Sequence, residues 1–270
     1  MVDERIVLKI GGSVLTDKTK EELLIKSELI DKIAGEIKSL MDKGFTFCIV
    51  HGVGSAGHPP VKKYKLHLGF QSKDQLIGYA EAQNRVNRLR QEVLDSLERH
   101  GVPAIEFYPS SMIISNKMIV TKFFSEAMER IVSTGVVPVL SGDMVADLAM
   151  GLSVCSGDIL VFELARIFGS KKILFGVDVD GIFSGDPKKQ EAKLIENINV
   201  ELLPELLKEA GGSSGIDVSG GMKGKIKTML LYKNFFEDGG EVIIFNLTNP
   251  ENLSKVLMNP ESVKFTVIRK

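Results

Sequence analysis

The sequence predicts an α/β protein with a mainly parallel central sheet and helices on both faces. Three observations carry that expectation. Short apolar runs rich in Val, Ile and Phe are continuous rather than alternating, as strands buried on both sides require. Longer stretches of helical period separate these runs. Glycine clusters follow several strands directly, at the edge where a parallel sheet gathers its ligand-binding loops.

Taken in order, strands are expected over residues 6–10, 45–50, 104–107, 136–140, 172–177 and 242–245. Helices are expected over 20–42, 73–99, 121–133, 158–168, 201–209 and 221–237. The segment GDMVADLAMGLSVCSGD (142–158) breaks the rhythm. Its strand-like pieces, set among polar residues and glycine, fit a β-hairpin between the halves. There is no long linker, low-complexity tract or internal repeat. One compact unit is therefore expected, with functional halves at 1–160 and 161–270.

Composition narrows the function. The chain has 270 residues, 44% apolar and 26% charged, with a formal net charge of -1. That is ordinary for a globular protein and supplies no field to draw nucleic acid. No apolar run approaches the roughly 18 residues of a membrane span. Asp3, Glu4 and Arg5 precede a short strand, which is not the architecture of a signal peptide. Cys48 and Cys155 are far apart and outside metal-ligand spacing, so they read as reduced core residues of a cytoplasmic protein.

The chemistry begins at RIVLKIGGSVLTDK (5–18). Lys9 lies inside a core strand, and taking an ammonium out of water costs several kcal/mol unless an anion meets it. Gly11 and Gly12 follow at once. Further clusters are HGVGSAGH (51–58), VLSGD (139–143), VDVDGIF (177–183) and DVSGGMKGK (217–225). Glycines on one sheet edge let backbone N–H groups approach a phosphate, and helix N-termini add positive potential. An anion site is the reading that unites them.

Two nucleotide motifs fail. GVGSAG (52–57) matches G-x-G-x-x-G, with Asp74 near the expected acidic position. However, Asp74 starts a helix, His51 and His58 bracket the loop, and Pro59 and Pro60 stand where a helix should already be under way. A Walker loop ending at Lys225 would need glycine at Ser219 and a hydroxyl residue at Ile226. The H-R-D and D-F-G landmarks of protein kinases are also missing.

LKIGGSVLTDK, HGVGSAGH, SGD (156–158), DVDGIF and DVSGGMKGK occur in this order over nearly the whole chain. In this the sequence resembles the amino acid kinase superfamily, and within it the isopentenyl phosphate kinases. The pairing of VLTDK with a loop ending in GH separates these from the acetylglutamate, aspartate and uridylate kinases. The resemblance implies an open αβα sandwich and a cytoplasmic homodimer. It also implies ATP with Mg²⁺, and phosphorylation of isopentenyl phosphate to the diphosphate in an archaeal-type mevalonate route. The acceptor would lie in the N-terminal half and ATP in the C-terminal half.

Carried over by residue, Lys9, Lys18 and Lys225 would surround the transferring phosphoryl group. Gly11, Gly12, Ser13 and Gly54 would line its path, and Asp158 would orient the lysines. His58 would hold the acceptor phosphate beside Val53, Gly54, Gly57, Gly142 and Gly157. Asp178, Gly181, Phe183, Lys188 and Gly220 would lie near the nucleotide. The sequence departs from the family at Val53, where glycine is usual, and at Ala56, where an aromatic is usual and whose small side chain would reshape the pocket floor. It departs also at Ser219, where threonine is usual, and at Lys264–Phe265 before Thr266, where the family has glycine.

A phosphate acceptor is already an anion and needs no general base, so His58 suits a hydrogen-bond donor. Plainer readings stand beside these. His58 also suits a loop cap, Lys18 a solvated side chain, Lys225 a charge-balancing one, Asp158 an N-cap, and Asp178 a turn residue. VKKYK (61–65) reads as a solvated helix face. Tyr79, Ile77 and Met112 are candidates for an apolar tail pocket, with core packing as the alternative. A kinase for another small phosphate or phosphonate, such as a fosfomycin-type compound, shares the pattern. A non-catalytic nucleotide-binding protein would be expected to lack Lys9, Lys225 or Asp158.

Overall fold

A computed structural model describes residues 5–17, 22–185, 192–209 and 220–270. The chain runs β1 (Arg5–Ile10), α1 (Gly12–Leu15), α2 (Ser27–Met41), β2 (Thr46–His51), α3 (Gly54–Lys63) and α4 (Gln75–Arg99). It continues through β3 (Ala104–Glu106), α5 (Pro109–Met112), β4 (Ile113–Asn116), β5 (Ile119–Phe123), α6 (Glu126–Val132) and β6 (Val137–Ser141). Next come β7 (Asp143–Asp147), β8 (Gly151–Cys155), α7 (Gly157–Phe168), β9 (Lys172–Val177) and β10 (Asn197–Asn199). The last elements are α8 (Leu203–Glu209), α9 (Gly220–Leu231), α10 (Lys233–Glu237), β11 (Glu241–Asn246), α11 (Glu251–Met258) and β12 (Phe265–Arg269).

The main sheet has eight strands in the order β10-β12-β11-β9-β1-β2-β6-β3. Only the β11–β12 pair is antiparallel. The six expected strands all form, and strand parity decides what each buries. Ile6, Leu8, Phe47 and Ile49 face one side, against Ile33 and Ile37 of α2 and Leu89 and Val93 of α4. Val7, Cys48 and Val50 face the other, against Leu160 and Leu164 of α7 and Ile226 and Met229 of α9. Each face draws residues from both ends of the chain. Both cysteines are free and buried, as expected, and burial pushes the Cys48 thiol up to about 12.

Four expectations about elements need correction, the first being the helix expected over 20–42, which begins only at Ser27 while Ile25 bridges to Thr16. Residues 54–63 are helical despite Pro59 and Pro60 inside the helix. The objection that no helix is under way after Gly57 therefore falls, and the VKKYK segment closes that helix. The helix expected over 121–133 starts only at Glu126, because Ile119–Phe123 pairs antiparallel with β4. That over 221–237 breaks at Tyr232 into α9 and α10.

β4, β5, β7 and β8 form a second, four-stranded sheet, and the hairpin expected over 142–158 is its β7–β8 pair. One carboxylate ties the two hairpin tips together. Asp147 accepts from the N–H groups of Lys117 (3.0 Å) and Met118 (2.8 Å), and of Ala149 and Met150 (both 3.0 Å). Lys117 and Met118 have φ of 50° and 65°, a left-handed turn these donors help to hold. Burial alone would push the Asp147 carboxyl up. The amides of Met118, Met150 and Lys117, with the Ser153 hydroxyl, outweigh it and bring the pKa down to about 2.

Candidate active site

β1, β2, β6 and β9 end at one edge of the sheet, and the loops that follow enclose a cavity of about 800 Å³. It lies beside β1, the strand from which the chain winds outward both ways, where α/β sheets bind ligands. Helices α3 and α7 begin on its wall at Gly54 and Gly157, and α9 turns its first residues, Gly221 and Gly224, toward it. Three helix N-termini facing one space make it attractive to anions.

Lys9 shares the parity of Val7, so its side chain emerges on the α7 side of the sheet. There its Nζ lies 3.0 Å from Asp158 Oδ1, and Lys225 Nζ from α9 lies 3.8 Å from the same oxygen. Both ammonium groups also stand over the Phe175 ring, 5.8 and 5.9 Å from its centroid. The plain capping role belongs to Ser156, whose hydroxyl accepts from Ile159 N–H at 3.4 Å. That leaves the Asp158 carboxylate to the lysines. Burial pushes the Asp158 carboxyl up, but Lys9 and then Lys225 outweigh it and hold it below the ordinary carboxylate value. Two cations share one carboxylate, so the cluster carries a net positive charge on the cavity wall.

The glycines after β1 and β2 have a packing reason. A Cβ on Gly12 would lie 2.4 Å from Gly54 N, and one on Gly52 would lie 2.4 Å from Gly12 N. Gly54 also sits at φ +46°. The two loops interlock backbone to backbone, and Thr16 clasps them. Its hydroxyl donates to Gly12 O at 2.9 Å and accepts from Ser55 N–H at 3.0 Å.

His58 is exposed on α3 and lines the cavity with Val53 and Gly57. Val53 fills the space beside Gly57, where a Cβ would meet its methyl at 2.6 Å. Beyond His58 the wall turns apolar through Val61, Ala82, Val86, Met144 and Val154. These are not the tail candidates named above. Ile77 points to solvent at 68% exposure, and neither Tyr79 nor Met112 lines the cavity. Ala56 belongs to the core under α3 rather than to the pocket floor.

Of the other expected residues, Gly11, Ser13, Gly142 and Asp178 line the cavity. Gly181 and Phe183 do not. Gly181 packs on Thr266, whose hydroxyl accepts from Ile182 N–H at 2.8 Å, and Phe183 bridges to Leu194. Gly220 opens α9. Lys18 and Lys188 lie outside the described residues, as do Asp217 to Ser219 of the DVSGG segment.

Sequence reasoning missed a buried polar group behind the Gln83 and Asp143 side of the cavity. Arg90 is 1% exposed. It pairs with Asp143 at 3.0 Å and Glu106 at 3.2 Å, and donates to Ser141 Oγ at 2.7 Å. Gln83 Nε2 donates to Asp143 Oδ1 at 2.7 Å, and both side chains line the cavity. Burial pushes Glu106 up to about 8, against the pull of Arg90. Burial also lowers His51, beneath the loop, to about 4, so it is neutral. The one available signal was Arg90 itself, a charge on the apolar stripe Val86–Leu89–Val93 of α4.

The amino acid kinase family profile matches residues 4–246, and the chain belongs to that family. Within it the chain is similar to isopentenyl phosphate kinase of Methanothermobacter thermautotrophicus, at 34% identity over 95% of this chain and 96% of that one. The Methanocaldococcus jannaschii isopentenyl phosphate kinase is 32% identical over 93% and 94%. A solved isopentenyl phosphate kinase structure superposes with a TM-score of 0.81 at 32% identity, covering 98% of this chain and 99% of that one.

Proposed function

We infer that this protein transfers the γ-phosphoryl group of ATP to the phosphate of isopentenyl phosphate, giving isopentenyl diphosphate and ADP for isoprenoid synthesis. The observation that carries this reading is the Lys9–Asp158–Lys225 cluster, set in a cavity whose far wall is apolar. It is supported by the relatives named above.

An oxygen of the acceptor phosphate attacks the γ-phosphorus as the bond to the bridging oxygen of ADP breaks. Charge spreads over the equatorial oxygens during transfer, and Lys9 and Lys225, with the main-chain N–H groups of the interlocked loops, stabilise it. Asp158 fixes the two ammonium groups and takes no proton. No base is required, because a phosphate monoester is largely dianionic at neutral pH. His58 donates to the acceptor phosphate, and the apolar wall receives the tail. The acceptor sits in residues 1–160 and ATP in 161–270, near Asp178, with Lys188 and Gly220 on the nucleotide side and Lys18 beside the transferring phosphoryl group.

Among the described residues no group of three or more His, Cys, Asp or Glu side chains is placed to hold a metal ion. The buried carboxylates Asp158 and Asp143 are committed to cations. A Mg²⁺ brought by the triphosphate would neutralise phosphate charge during transfer. The working form is a cytoplasmic homodimer. Among the described residues no helix is long and apolar enough to cross a membrane.

A kinase for another small phosphate or phosphonate is the second reading, favoured by Gln83 and Asp143 on the acceptor wall. An ATP-consumption assay across isopentenyl phosphate, dimethylallyl phosphate, fosfomycin, glutamate and UMP tests both. Turnover with isopentenyl phosphate far above the rest is expected, and preference for fosfomycin would overturn the first reading.

A further inference from the structure

Helix α3 carries two prolines in its interior and stays helical. Pro59 and Pro60 lack N–H groups, so the carbonyls four residues earlier, Ser55 and Ala56, lose the donors a regular helix supplies. Both residues are buried, at 6% and 0% exposure, and a buried carbonyl left unpaired is costly. Arg85 on the neighbouring helix α4 fills both places. Its Nη2 donates to Ser55 O at 3.0 Å and its Nε donates to Ala56 O at 3.2 Å. One guanidinium thus replaces two consecutive main-chain donors, which suits its planar fork and not a lysine's single ammonium.

The turn so held is Gly54 to His58. Its first residue interlocks with Gly12, and its last two line the cavity. His58 also precedes a proline, which disfavours the helical conformation it adopts here. Arg85 does not line the cavity.

We propose that Arg85 is a positioning residue for the phosphate acceptor: by supplying the two donors that Pro59 and Pro60 lack, it fixes the α3 turn that presents Gly57 and His58. The inference rests on the acceptor-binding role of His58 given above.

Four full-length variants test it: Arg85→Ala, Arg85→Lys, Pro59→Ala/Pro60→Ala, and that double variant combined with Arg85→Ala. Arg85→Ala raises the KM for isopentenyl phosphate about tenfold while the KM for ATP stays within about twofold. Arg85→Lys gives no full rescue. Restoring the N–H groups makes Arg85 dispensable, so adding Arg85→Ala to the double proline variant changes the acceptor KM by less than about twofold. Hydrogen exchange over residues 54–63 reads the same contact without activity, rising in Arg85→Ala and reverting in the combined variant. Unchanged exchange, or equal losses with and without the prolines, overturns the inference. If exchange responds while both Arg85→Ala and His58→Ala leave the acceptor KM unchanged, the acceptor role of His58 has failed and the positioning role fails with it.

Discussion

Lys9 Nζ and Asp158 Oδ1 meet at 3.0 Å, joining the end of the central strand to the first turn of α7. Lys9 is 6% exposed, so its charge is tolerated only because a carboxylate answers it on one side and the cavity opens on the other. The contact explains why a core strand carries a lysine.

Asp158→Asn keeps the shape and removes the charge that holds two ammonium groups. It lowers kcat by about 10²-fold or more, with a smaller change in the KM for the acceptor. Once Lys9→Met is present, adding Asp158→Asn costs little further. Steady-state kinetics on the two single variants and the double variant check this, and strictly multiplicative losses would separate the two roles.

His58→Ala raises the KM for isopentenyl phosphate at least about tenfold and leaves ATP affinity within about twofold. Calorimetric titration with an ATP analogue supplies the second number. Equal weakening of both ligands would move His58 away from the acceptor.

Glu106→Gln tests the buried cluster through pH. The folded carboxyl titrates at about 8 instead of its ordinary 4.5, so the folded state holds the proton more tightly than the unfolded chain. Wild-type stability therefore falls as pH rises from about 4.5 to 8. The variant, with no charge to expose, melts above wild type at pH 8.5 and close to it at pH 5. Parallel melting curves at both pH values would contradict the shift.

Asp147→Asn tests the hairpin clasp with the opposite sign. The carboxyl is held at about 2 against an ordinary 3.8, so its contribution is complete above about pH 4 and fades as pH falls toward 2. Nearly two pH units correspond to about 2 kcal/mol. The variant loses about 1–2 kcal/mol at pH 7 in urea unfolding and converges with wild type near pH 2.

Much of this was legible in the sequence. Continuous apolar runs marked the six strands, because burial on both faces leaves little freedom of composition. Lys9 and the glycine clusters marked the edge where the cavity opens, since a buried cation and bare backbone are both costly without a partner. The rest depended on contacts between distant segments. Two prolines hid α3, and the two carbonyls they leave without donors are met by Arg85, about thirty positions further on. β4 was not expected, and the helix expected over 121–133 ran into the end of β5, because both strands are short and their turn centres on Lys117 and Met118 rather than on Gly or Asn. Arg90, Glu106 and Asp143 come from three separate elements, and no local pattern announces their meeting. Tyr79 and Ile77, expected as candidates for an apolar tail pocket, lie on α4 near Ala82, which lines the cavity, but on a different turn of its face.

β1 hydrogen-bonds to β2 on one side and to β9 on the other. Severing the polypeptide near position 160 would thus strip the central strand of a partner along most of its length, and would halve the hydrophobic packing on both sides of the sheet. Neither fragment expressed alone would be self-sufficient. Catalysis would return only when the two fragments reassociate, as in a split-protein reporter.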